Sequence, residues 1–135
     1  MRRTWLFAAV LASLLAIDTG SVPAQATVRP GWGSAWAHDG TLKHGCATYS
    51  YRYAFTPPKG EEWMAEVFVI GPGRKHVHSE YLLSEADPRR DERRYRLCDT
   101  TADPGRYTLR TRMTVGVASF QTTAWLPRTH FQLGR

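Results

Sequence analysis

His76, His78 and Glu80 occupy alternate positions and come nearest in this chain to a metal-ligand set. On an extended strand, residues two apart project from one face. Two imidazoles and a carboxylate would then converge, a donor set that suits zinc or another transition metal. A solvated strand face accounts for the same pattern. A second cluster is arginine-rich: Arg89, Arg90, Arg93, Arg94 and Arg96 stand close together, diluted by Asp91 and Glu92. Guanidinium groups form paired hydrogen bonds with phosphate and carboxylate. Arg106, Arg110 and Arg112, on an outward strand face expected nearby, would widen the cluster into a basic platform. Trp32 and Trp36 lie in a stretch rich in Gly, Ser and Trp and are expected at the surface, where indole rings stack on ligands such as sugars. Trp63 and Trp125 are expected in the core.

Catalytic chemistry finds little support. No serine sits in a Gly-x-Ser-x-Gly elbow, and the carboxylates fall mostly in charged loops rather than in apolar pockets that would tune them. Cys46 and Cys98 are expected to pair in an oxidising compartment, which removes both as nucleophiles. A free thiol or an intermolecular bridge is the alternative. A paired loop of this length contributes roughly 4 kcal/mol of chain-entropy stabilisation. The expectation is a binding protein without a cofactor, not an enzyme.

The compartment follows from the first residues. Arg2 and Arg3 precede an apolar run from Trp5 to Ile17, and Ala24-Gln25-Ala26 places small residues before a cut, as signal peptidase requires. The run is shorter than the roughly 20 residues of a membrane-spanning helix. Residues 1–26 are therefore expected to be a signal peptide and residues 27–135 a single domain, with export by the general or the twin-arginine route both open. Removing 26 of the 135 residues leaves 109 and lowers the formal charge from +6 to +5, since Arg2, Arg3 and Asp18 depart. That balance favours anionic surfaces such as cell-wall polymers, acidic glycans or headgroups. No nucleic-acid motif accompanies it.

The elements that must position these groups are strands. From Cys46 to Phe55, Ala47, Tyr49, Tyr51, Tyr53 and Phe55 alternate with Thr48, Ser50 and Arg52, the period of a half-buried strand. Trp63 to Ile70 is apolar on nearly both faces and reads as central. His76 to Leu83 would pair with it as a hairpin across Gly71-Pro72-Gly73. Arg93 to Cys98, Arg106 to Val115 and Val117 to Leu126 continue the pattern, with a stub from Phe131 to Leu133. Trp32 to Trp36 suits a short edge strand, and Asp39-Gly40 a turn. Short strands separated by Gly and Pro turns predict an all-β, antiparallel sandwich of about seven strands.

Asp103-Pro104-Gly105-Arg106-Tyr107 resembles the opening of the sixth strand in immunoglobulin-like sandwiches, where a tyrosine hydroxyl bonds back to nearby backbone. The resemblance implies that corner role for Tyr107. Antibody domains carry a cysteine two residues later, where this chain has Leu109. In that topology the second and fifth strands are antiparallel neighbours. The start of one, at Cys46, would then meet the end of the other, at Cys98, and the bridge would lie within one sheet.

The leading expectation is an exported module whose arginines bind an anionic envelope polymer or glycan. A secreted inhibitor or effector presenting the hairpin tip Gly71 to Lys75 is the alternative, and a metal module through His76, His78 and Glu80 the third.

Overall fold

A computed structural model describes residues 26–135, so all of the expected 1–26 leader except Ala26 lies outside the described residues. The strands are β1 (Gly33–Trp36), β2 (Gly40–Thr41), β3 (Cys46–Phe55), β4 (Trp63–Ile70), β5 (His76–Leu83), β6 (Arg90–Cys98), β7 (Gly105–Val115), β8 (Thr122–Trp125) and β9 (Thr129–Gly134). They form a three-stranded sheet, β1-β3-β6, and a larger sheet, β2-β9-β7-β4-β5, with β8 also paired to β7. The pairing is antiparallel except where β2 runs parallel to β9. The protein is an all-β sandwich, as the alternation predicts.

The inner faces follow the two-residue period. Tyr51, Tyr53 and Phe55 of β3 and Tyr95 and Leu97 of β6 face inward from the small sheet. Trp63, Ala65, Val67 and Val69 of β4 and Tyr107, Leu109, Met113 and Val115 of β7 face them from the large one. Core burial of one large apolar side chain contributes roughly 1.5–3 kcal/mol, so a one-residue slip in register would be heavily penalised. Gly33 admits β1 to the small sheet. Its φ is +109°, and a Cβ there would collide with the Ala54 carbonyl oxygen.

Several boundaries differ from expectation. Strand β6 begins at Arg90 because its first residues complete the ladder with β3 as far as Ala54. The single strand expected over Val117–Leu126 is divided: Ala118–Phe120 is a 3-10 turn and only Thr122–Trp125 pairs with β7. Where a turn is expected at Asp39-Gly40, Gly40 instead opens β2, and the Asp39 carboxylate just before it accepts a bond from Gln132 N–H at 2.7 Å.

Cys46 stands directly opposite Cys98 in the β3–β6 ladder, and the two form a disulfide within one sheet. Just beyond it, His44 Nδ1 lies 2.8 Å from Asp99 Oδ2. The Gly45 backbone hydrogen bond, and after it His44, hold the Asp99 carboxyl below its ordinary value near 3.8.

Two outcomes are expected. Replacing both cysteines by alanine should lower the unfolding free energy by about 2–4 kcal/mol in a urea titration. Because the folded pKa of Asp99 is depressed, its contribution is complete above pH ~3.8 and drains away as pH falls through the lower folded value. Asp99→Asn should therefore flatten that part of the acid limb.

Candidate functional site

The β4–β5 hairpin decides the fate of the histidines. Val69 pairs with His78 but Ile70 pairs with His76, so a β-bulge at Val77 separates them. His76 consequently points to the outer face, edge-on to Phe68 at 5.8 Å between ring centroids. His78 and Glu80 turn inward, and His78 stacks on Tyr95 at 5.1 Å. The expected triad of His76, His78 and Glu80 is thus corrected: the bulge reverses the phase of the alternation between the two imidazoles. Among the described residues, no three His, Cys, Asp or Glu side chains gather as a metal site.

Glu80 instead serves the junction between the sheets. One carboxylate oxygen accepts from the Tyr51 hydroxyl at 2.5 Å and lies 3.5 Å from His78 Nε2. The other lies 3.5 Å from Arg93 Nε. Arg93 also donates to Asp87 at 2.6 Å, and Asp87 accepts the Leu83 N–H at 2.8 Å. Burial, reinforced by Glu80, pushes the Tyr51 phenol far above its usual range. Strands β5 and β6 are sheet edges, and this network ties them together. Arg93 belongs to that network and leaves the basic platform.

The remaining arginines of the run behave differently. Arg90, Arg94 and Arg96 project from the outer face of the small sheet, and Arg89 is exposed in the turn before it. Arg52 joins them from β3, opposite Glu92 and next to Trp36 of β1. Glu92 is the carboxylate of this face, 3.2 Å from Arg52 Nε and 4.0 Å from Arg94 Nε. Trp36, Arg52 and Arg90, together with Asp91 and Glu92, help line an open hollow of about 440 Å³. Arg52 was not among the expected site residues, although its outward position in the β3 alternation marks it.

The tryptophans divide otherwise than expected. Trp32 is buried, because the 3-10 turn Pro30–Trp32 folds it into the core beside the small sheet. Trp36 stays half-buried. Trp63 is a core residue, as expected, whereas Trp125 lies on the outer face of the large sheet beneath Arg110, whose Cζ sits 4.1 Å from the ring centroid. Arg106, Arg110 and Arg112 share that outer face, and the two outer faces of a sandwich point in opposite directions. They therefore cannot extend the platform on the small sheet. Arg112 instead pairs with Glu66.

The hairpin tip is only partly free. Gly71 is buried against the Tyr107 ring, and Pro72 abuts Gly105 closely enough to leave no room for a Cβ there. Gly73, Arg74 and Lys75 are exposed.

Truncating Glu80 to alanine should cost about 1–3 kcal/mol of stability by stranding Tyr51 and Arg93. His76→Ala should stay within about 0.5 kcal/mol. Denaturant titration of both variants checks the pair, and equal losses would contradict the division made by the bulge.

No helix among the described residues is long and apolar enough to cross a membrane. No protein-family model matches the chain, and no curated protein and no solved structure matches it.

Proposed function

We propose that this is an exported, non-catalytic sandwich that binds an anionic cell-envelope polymer or glycan along the outer face of its small sheet. The observation that carries this reading is one surface on which Arg52, Arg90, Arg94 and Arg96 stand in rows around Glu92, with Trp36 at the edge and Asp91 beside Arg90 as the second carboxylate of the hollow. Arg94 and Arg96 stand about 7 Å apart along the strand. Such a ladder suits charges repeated along an extended chain better than one isolated anion. Trp36 adds an apolar surface on which a sugar ring can stack.

Export is supported by the leader-like first residues and by the disulfide, a bond that persists in oxidising compartments. An immunoglobulin-like relationship is supported by the strand order and by Tyr107, whose hydroxyl donates to the Asp103 carbonyl at 2.6 Å. A binding role, rather than catalysis, is supported by how the ionisable groups between the sheets are used: Glu80, Asp87 and Arg93 bond to one another's neighbours and hold strands together.

Docking to a protein through Gly71 to Lys75 is the second reading, favoured by the exposure of the three residues at its tip. The two differ in salt dependence, since contacts made by exposed arginines are screened within about 10 Å at moderate ionic strength.

The oxidised protein should sediment with isolated cell-wall material at low salt and be released at high salt. The triple replacement of Arg52, Arg94 and Arg96 by glutamine should reduce the bound fraction several-fold and flatten its salt dependence. Unchanged retention by the triple variant would overturn the assignment of this face.

A further inference from the structure

We propose that the opposite outer face holds a separate site for a compact oxyanion of the phosphate or sulfate type, gripped by Arg74, Arg110 and Arg128. The site does not depend on the polymer-binding reading, because the two faces share no residue.

Its parts come from distant segments. Strands β4 and β7 contribute their outward positions Ile70, Thr108 and Arg110, β5 contributes His76, the hairpin tip Arg74, and the link from β8 to β9 Arg128. These six line an open hollow of about 480 Å³ that contains no carboxylate. The acidic side chain of β4, Glu66, is already bound by Arg112 one row away. Three guanidinium groups and an imidazole therefore share a concave surface without a counter-charge from the residues that line it. An anion would relieve their mutual repulsion.

Arg110 is the best-prepared member. Its guanidinium lies over Trp125, which stands 6.1 Å from Phe68 between centroids. This stacking restricts the side chain before any ligand arrives. Its Nε is sealed from solvent and makes no hydrogen bond among the described residues. Burial first, and the proximity of Arg128 second, hold its pKa below the usual arginine value.

Arg74 adds a backbone argument. It follows Gly73 in the left-handed region, at φ +61° after +69°. Non-glycine residues adopt that conformation at a cost, and such outliers gather at ligand clamps. Here the conformation belongs to a tip anchored by Gly71 N–H bonding to the Lys75 carbonyl at 2.7 Å. At the far rim, the Thr108 hydroxyl lies 3.0 Å from His130 Nδ1. A tetrahedral oxyanion can accept from several such donors at once, and a guanidinium fork gives the paired geometry. The volume left over would admit the chain of an esterified group.

Isothermal titration of the oxidised protein with sodium phosphate, against sodium chloride at equal ionic strength, tests the site. Saturable binding in phosphate alone is expected. Arg110→Lys and Arg128→Gln should each weaken it by about tenfold or more, lysine lacking the fork. An Arg94→Gln, Arg96→Gln double variant should bind phosphate as the parent does, which keeps this result separate from the polymer experiment. A parallel titration with glycerol 1-phosphate identifies the source: binding at least as tight as phosphate assigns the site to esters, and weaker binding assigns it to the free ion. Heats indistinguishable from chloride, or parental affinity in both the Arg110 and Arg128 variants, would overturn the proposal.

Discussion

Four tyrosines, Tyr51, Tyr53, Tyr95 and Tyr107, are buried between the two sheets, and a buried phenol has to place its hydroxyl against an acceptor or lose a hydrogen bond it had in water. Tyr51 reaches Glu80, Tyr53 reaches the Pro88 carbonyl at 2.9 Å, and Tyr107 reaches the Asp103 carbonyl. Each bond ties a core side chain to a different part of the chain. Tyr51 spans from the small sheet to the large one, Tyr53 pins the approach to β6, and Tyr107 fixes the opening of β7. The Tyr95 hydroxyl makes no such bond among the described residues, and its ring stacks on His78.

That requirement organises the charged groups as well. Glu80 must face inward to meet Tyr51, and a carboxylate brought between sheets needs positive or donor partners of its own. Arg93 and His78 supply them, and Asp87 balances Arg93 in turn. One arginine is thereby withdrawn from a run that reads as a single surface cluster. One histidine is withdrawn from a pattern that reads as a ligand set. The bulge at Val77 makes this possible by leaving His76 outside while His78 and Glu80 turn in.

The two outer faces are consequently different chemical surfaces. The small sheet presents arginines tempered by Glu92 and open to solvent, whose contacts are exchangeable and salt-sensitive. The large sheet presents Arg110 immobilised on Trp125 in a concavity without acid, where a single anion would be held by converging donors. A sandwich keeps such surfaces apart because its core separates them.

Much of the architecture was legible in the residues themselves. Alternation through Cys46–Phe55 and Arg106–Val115 names both the strands and their inner faces, since burial of one face imposes a period of two, and the apolar run Trp63–Ile70 names a central strand. The paired cysteines and the Asp-Pro-Gly-Arg-Tyr opening of β7 were readable in the same way, being local or strictly limited in number. Arg52 was readable as an outward residue but not as a neighbour of Trp36 and Glu92, which depends on strand pairing. Tertiary structure alone decided the rest. The phase reversal at Val77, the burial of Trp32, the outward placement of Trp125 and the meeting of Arg74, Arg110 and Arg128 all depend on which segments lie side by side. Periodicity reports the direction of a side chain relative to its own strand; what it meets there is set by the register and packing of strands far away in the chain.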